Sequence, residues 1–266
     1  MKLDGKTALL TGATGGLGRA IAKDFADRGA TLVLSSRKAD ELVELADSLP
    51  GEGHRPVIAD LGLEGAAERL VSEAGEIDVL VANAGLPGTG KLDSFSEEEI
   101  SRALRVNLEA PMRMSREVVP SMLERGAGHL VFVASLAGKA PSPRSAVYNA
   151  TKFGLRGFAF GLRCDLNGSG VGVSVVSPGF VSDAGMFADS GATNTGGMGT
   201  ISPEAVASGV VRAVERDKHE VVVAPRRLRV MAHLGLANPG LAIKIAGGNM
   251  GRKAADELAA GQTEKR

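Results

Sequence analysis

Short runs of aliphatic and β-branched residues alternate with longer amphipathic stretches along most of this chain. That alternation restricts the fold more than any single residue does. The runs are TALLT (7–11), TLVLS (31–35), PVIA (56–59), VLVA (79–82), HLVFVA (129–134), VGVSVVS (171–177) and EVVVA (220–224). Most are continuously apolar, which suits parallel strands covered on both faces. Between them, apolar side chains recur at helical spacing: Leu17, Ile21 and Phe25; Leu42, Leu45, Ala46 and Leu49; Leu63, Ala67, Leu70, Val71 and Ala74. Ser96 followed by Glu99 has the form of a capping box opening a helix over 97–124. A second long helix is expected over 146–166, and Ser202–Pro203 reads as the cap and first position of a helix ending near Glu215. The repeated βαβ pattern, with no linker or internal repeat, specifies an α/β fold: a single doubly wound (Rossmann) domain of about seven parallel strands with helices on both faces.

The first strand-to-helix junction, TGATGGLG (Thr11 to Gly18), places glycines at 12, 15, 16 and 18. Glycine there lets the backbone bend tightly and lets a pyrophosphate approach with no Cβ in the way. The following helix N-terminus offers free N–H groups and partial positive charge. Gly12, Gly16 and Gly18 are spaced G-x3-G-x-G, and a cofactor phosphate is the ligand such a turn suits. Where the second strand ends, a fold that prefers NAD carries an acid for the ribose hydroxyls. This chain has Ser36, Arg37 and Lys38. A guanidinium pairs with a 2′-phosphate that a carboxylate would repel, so NADP(H) is expected over NAD(H), with Arg37 its reader.

The chain holds a single tyrosine. In SAVYNATKFGL, Tyr148 and Lys152 are four apart and share one face if the segment is helical. A free phenol titrates near ~10, and a nearby ammonium is expected to lower that value and make a usable proton donor and acceptor.

With these features in place, the chain resembles the short-chain dehydrogenase/reductase family, in its compact single-domain branch. TGATGGLG resembles the family's TGxxxGxG loop, and Tyr148 with Lys152 matches its YxxxK motif. Ser135, thirteen residues before Tyr148, stands where the family has its catalytic serine, and Asn107 in RVNL matches the fourth member of its tetrad. The resemblance implies a catalytic set of Asn107, Ser135, Tyr148 and Lys152. It implies cofactor contacts from Gly12, Thr14, Gly15, Gly16, Leu17 and Gly18, from Arg37, from Asp60 and Leu61, and from Asn83, Ala84 and Gly85 of ANAG. Tyr148, Lys152, Pro178, Gly179 and Val181 complete the cofactor site. Asn107 is expected to hold a water linking Lys152 to solvent. Asp183 stands about where the family often has a Thr that anchors the nicotinamide carboxamide, which leaves that role to the Val181 backbone. The resemblance spans about residues 5–225 and implies hydride transfer between nicotinamide and a carbonyl or secondary alcohol. Assembly as a homodimer or homotetramer through the two long helices is a further implication. A catalytically silent NADP(H)-binding scaffold is the alternative, and the intact tetrad argues against it.

Residues 1–225 thus read as the dinucleotide-binding and catalytic domain, with a substrate loop over 180–200. In that loop Phe180, Met186, Phe187 and Met198, with only Asp183 and Asp189 charged, point to a mostly apolar substrate. Residues 226–266 form an extension in which Arg226, Arg227, Arg229, His233, Lys244, Arg252 and Lys253 interleave with aliphatic side chains and no acid precedes Asp256. This extension has three possible places: the cleft, a subunit contact, or an anionic membrane surface reached through 226–253. Pro239 and the glycines argue against one continuous amphipathic helix and favour the first two.

Other classes are excluded. The 31 basic and 31 acidic residues balance, which gives no electrostatic case for nucleic acid. No run of about 20 apolar residues suggests a transmembrane segment, and the four histidines lack metal-ligand spacing. A serine hydrolase needs a G-x-S-x-G elbow, and VASLAG around Ser135 lacks its first glycine. Cys164 is the lone cysteine, expected as a small buried residue. It fits a reducing, cytoplasmic setting.

Overall fold

Seven strands form one parallel sheet in the order β3-β2-β1-β4-β5-β6-β7. They are β1 (Thr7–Thr11), β2 (Thr31–Ser36), β3 (Arg55–Ile58), β4 (Val79–Ala82), β5 (Gly128–Val133), β6 (Val171–Pro178) and β7 (Glu220–Val223). The computed structural model describes residues 1–183, 185–188, 190–191 and 199–262. Helices follow the strands: α1 (Gly16–Ala26), α2 (Ala39–Ser48), α3 (Ala66–Ala74), α4 (Glu97–Leu104), α5 (Ala110–Arg125), α6 (Ala146–Asp165), the single turn α7 (Gly185–Ala188) and α8 (Pro203–Glu215). Three more close the chain: α9 (Arg226–Ala237), α10 (Pro239–Ala246) and α11 (Asn249–Ala260). A π-helical turn, Arg105–Glu109, joins α4 to α5. Among the described residues no helix is long and apolar enough to cross a membrane.

Successive strand residues feed opposite cores, as the two-residue period of a pleated strand requires. Ala8 and Leu10 pack with Ile21 and Phe25 of α1 and Val210 of α8. Leu9 between them packs with the other layer, where Met114 of α5 and Leu155 of α6 lie. The capping box of α4 forms with both hydrogen bonds, and Ser202 caps α8 with Pro203 first in the helix. Only Val57 of β3 is buried. That strand is a sheet edge, where Pro56 costs no ladder bond.

Two expectations need correction. Leu63 is 57% exposed, because α3 begins only at Ala66, after Gly65 has turned left-handed at φ 69°. Cys164 is exposed. It lies nine residues after buried Leu155 on α6, about 180° round the helix from the sheet-facing side.

A buried ion cluster fastens the loop after β5 to β7. Lys139, 1% exposed, donates to Glu220 at 2.7 Å, and Arg156 of α6 donates to the same carboxylate at 3.0 Å. Burial pushes the Glu220 carboxyl up, but the Arg156 and Lys139 hydrogen bonds outweigh it and hold the group below the usual value of 4.5. Its stabilising contribution is therefore complete above about pH 4.5 and is lost as pH falls through the lower folded value. Glu220→Gln, which strands Lys139 without a counter-charge, should cost about 3–5 kcal/mol in urea unfolding at neutral pH. The loss should shrink as the solution is acidified. A neutral-pH loss under about 1 kcal/mol, typical of an exposed pair, would show that the cluster carries little stability.

Candidate active site

The chain winds outward from β1 to β3, then returns to place β4 on the other side of β1. Ligands of open α/β sheets bind beyond the strand ends at such a reversal, and the glycine turn lies there. Gly12 takes φ +65°, and a Cβ on it would stand 2.9 Å from the Ala84 Cα. A Cβ on Gly18 would fall 2.2 Å from the Gly12 carbonyl oxygen, so this glycine sets how closely α1 seats on its strand. Asn83 clasps the two turns together. Its Nδ2 donates to the Thr11 carbonyl at 3.0 Å and the Gly12 carbonyl at 3.3 Å, while the Thr11 hydroxyl accepts from the N–H groups of Asn83 and Ala84.

The turn fits a pyrophosphate. Gly15, the residue before α1, gives no side-chain cap, and no acid lies in the first turn of Gly16, Leu17 and Gly18. That helix end keeps its positive pole for an anion. Thr14 donates to Ser36 at 3.1 Å, which seats the end of β2 beside the glycine turn. Lys38 and Arg19 both pair with Glu41, at 2.6 and 3.1 Å. Arg37 is exposed, and among the described residues it forms no salt bridge, so its guanidinium is the one at this corner available to an incoming phosphate. Asp60 is committed elsewhere: both carboxylate oxygens accept from Arg102, at 3.0 and 2.9 Å, and one from the Gly62 N–H. Burial raises its pKa, and these bonds more than reverse that, so the carboxyl sits below its usual range. Leu61 beside it is buried. From Arg37 after β2 to Ser135 after β5 is three strand spacings, about 14 Å. This span matches an extended dinucleotide laid across the strand ends.

At the other end lies a cavity of about 570 Å³. Leu17, Asn83, Gly85, Ser135, Tyr148, Lys152, Pro178, Gly179 and Val181 all line it. Tyr148 and Lys152 lie in the first two turns of α6, which packs closely because Gly88 and Gly138 have no side chains. A Cβ on Gly88 would meet the Tyr148 nitrogen at 2.9 Å, and one on Gly138 the Lys152 carbonyl oxygen at 2.6 Å. The Lys152 Nζ donates to the Val133 carbonyl at 3.0 Å and lies 5.7 Å from the Tyr148 ring centre. Burial lowers its pKa to about 8.

The expected acidification of Tyr148 does not occur in the protein alone. Burial pushes the phenol up to about 12, opposed only by a hydrogen bond with Ser135. Lys152 donates to the Val133 carbonyl and makes no hydrogen bond to the phenol among the described residues.

Asn107 sits in the π turn, fully buried. Its Nδ2 donates to the Leu86 carbonyl at 2.9 Å and to Thr151 at 3.3 Å, and its Oδ1 accepts from the Leu86 N–H at 2.7 Å. These bonds tie the Asn107 side chain to the loop after β4. Gly85 brings that loop against Lys152: a Cβ there would lie 3.7 Å from Nζ.

Val181 pairs with Ile201 as an isolated parallel bridge. Because Phe180 and Ser182 make the hydrogen bonds to Ile201, the alternation of a strand turns the N–H and C=O of Val181 the other way. Asp183 is exposed, at φ +60°, a left-handed conformation that Asp tolerates better than most residues. Its side chain stays out of the cavity. Met198 and Asp189 lie outside the described residues.

One contributor escapes sequence reasoning. Asn149 donates to the carbonyls of Ala137 and Ala140 at 2.6 and 3.2 Å and so shapes the loop that follows Ser135. It carries no spacing signal. The closing helices do carry one, their interleaved aliphatic residues: Leu228, Met231, Ala232, Gly235, Ala242 and Ile245 roof the cavity. The final turn is pinned down as well. Gln262 donates to the Met186 carbonyl at 2.8 Å and hydrogen-bonds Thr89, and Arg144 pairs with Asp256 at 2.6 Å.

Known proteins share this fold. The family model described as short chain dehydrogenase matches residues 6–195. The chain is 38% identical over 227 residues to the ketoacyl reductase HetN of Nostoc sp., covering 83% of this chain and 79% of that protein. A short-chain dehydrogenase from Sphingobium yanoikuyae in complex with NADPH superposes with a TM-score of 0.78 at 26% identity, covering 89% of this chain and 94% of the other. A short chain dehydrogenase/reductase from Burkholderia phymatum in complex with NAD gives 0.80 at 26% identity, covering 91% and 96%. This chain therefore belongs to the short-chain dehydrogenase/reductase family and is an NAD(P)-dependent oxidoreductase of CH–OH and C=O groups.

Proposed function

We propose that the chain is an NADP(H)-dependent reductase or dehydrogenase acting on the carbonyl or secondary alcohol of a small, mostly apolar substrate. The observation that carries this reading is the convergence of Ser135, Tyr148 and Lys152 on one wall of a cavity otherwise lined largely by aliphatic side chains. When bound, the cofactor supplies or takes up the hydride. Tyr148 gives its proton to the substrate oxygen, and a pKa of about 12 keeps that proton in place until charge develops there. Ser135 hydrogen-bonds the same oxygen and stabilises its charge. Lys152 holds the nicotinamide ribose hydroxyls. Asn107 fixes the loop that positions Gly85 against Lys152.

Gly12, Gly15, Gly16 and Gly18 hold the pyrophosphate, and the outward N–H and C=O of Val181 meet the carboxamide. Arg37, which forms no salt bridge among the described residues, supports NADP(H) over NAD(H). Similarity to a ketoacyl reductase fits an acyl-chain ketone among the candidate substrates. Leu104, Met112, Leu123 and Phe153, exposed on α4, α5 and α6, support a homodimer or homotetramer through those helices. A lone cysteine fits a cytoplasmic setting.

Three outcomes follow. NADPH consumption over a panel of apolar ketones and aldehydes should fall at least about 10²-fold in Tyr148→Phe, with NADPH affinity kept; near-normal turnover in that variant would refute the role of the phenol. Arg37→Asp should move the ratio of kcat/KM values toward NADH, and an unchanged ratio would remove Arg37 as the phosphate reader. The rate of reduction should decline as pH rises through about 8, where Lys152 loses its charge. Tyr148 stays protonated across that range, so a rate that holds flat to about pH 10 would mean the Lys152 charge is not needed.

A further inference from the structure

We propose that the outer face of α9 and α10 docks on an anionic lipid bilayer, so that a lipophilic substrate enters the cavity from the membrane. Between Pro225 and Ala255 the chain has no acidic residue. Arg226, Arg227, Arg229, Lys244, Arg252 and Lys253 are all exposed, and among the described residues none of the six forms a salt bridge. Aliphatic side chains that lie off the cavity wall stand out among these charges: Val230 is 58% exposed, Ile243 60% and Leu236 36%. A soluble surface seldom gathers so many exposed aliphatics on two short neighbouring helices.

Paired with unneutralised cations, they match the two faces of a helix lying in a headgroup layer. An acidic protein partner would answer the charge equally well. The inner faces of the same helices favour lipid, because Leu228, Met231 and Ala242 roof the aliphatic cavity. Gly235 lets α9 lie close to its neighbours: a Cβ there would stand 2.8 Å from the Ala140 Cβ and 3.4 Å from the Ala242 Cβ. One thin helical layer thus separates the outer surface from the cavity. The docking stands on this surface alone; the delivery of substrate rests on the reading of the cavity given above.

The test uses the full chain with vesicles of phosphatidylcholine alone and of phosphatidylcholine mixed with phosphatidylglycerol. Ile243 and Lys244 lie off the cavity wall, so Ile243→Asp and Lys244→Glu leave the catalytic groups untouched. Co-sedimentation should be strong only with the anionic vesicles and should weaken with added salt. Each cation near such a surface is worth roughly fivefold in partitioning, so Lys244→Glu should lose on the order of 20-fold. Ile243→Asp should also release the protein, while both variants keep wild-type turnover of a water-soluble ketone. Absence of binding to anionic vesicles overturns the proposal, as does binding that neither variant weakens. A variant that instead splits an oligomer in light scattering, with no vesicle binding in the wild type, assigns the face to a contact between copies. Loss of ketone turnover in the wild type would fail the reaction and leave the vesicle result to stand on its own.

Discussion

Main chain meets main chain where β1 turns into α1. Gly12 lies so close to Ala84 that no larger residue fits, and Asn83 ties both turns with side-chain bonds to two carbonyls. This contact sits at the reversal of strand order, where the sheet opens a crevice. It seats the uncapped end of α1 and the start of the Gly85–Gly90 loop in one rigid unit. That loop in turn packs on α6 through Gly88 and on Asn107 through Leu86, so the tyrosine, the lysine and the phosphate cradle are held in one frame.

Burial then sets the chemistry. The same close packing that fixes Tyr148 and Lys152 limits the hydration of both, which favours the neutral form of each. The phenol becomes a weaker acid and the ammonium a stronger one, and the two values lie about four units apart, at about 12 and about 8. A protonated phenol beside a lysine poised near neutrality suits donation of a proton to a carbonyl oxygen. The Val133 carbonyl holds the ammonium in place, and Ser135 is the group that touches the phenol.

Local signals were the legible ones. β1, β4 and α8 have the bounds their residue patterns predict, because apolar runs and Ser-Pro caps act within a few residues. Motif order placed Ser135, Tyr148 and Lys152 in a common site before any geometry was known. Long-range partners left no local trace. The bond of Asn107 to Leu86 spans 21 residues, that of Lys152 to Val133 spans 19, and Gln262 reaches Thr89 across 173. The same holds for the phenol: helical spacing shows that Tyr148 and Lys152 share a face, but the burial that raises the Tyr148 pKa is a tertiary fact. The extension past Pro225 showed its helix breakers in sequence, at Pro239 and the neighbouring glycines. The cleft was one of the places its interleaved aliphatic residues suggested, but the approach of Gly235 to Ala140 that seats it there left no local trace.

The account's central claim is that hydride passes to a carbonyl carbon beside Tyr148. The most direct measurement supplies NADPH deuterated at nicotinamide C4, one diastereomer at a time, with an apolar ketone, and locates the label by mass spectrometry and NMR. Deuterium on the carbinol carbon of the alcohol, transferred from one diastereomer and not the other, is the predicted result. Tight NADPH binding with no label reaching any of a broad set of ketones and aldehydes would contradict it, and would leave a binding protein built on a reductase frame.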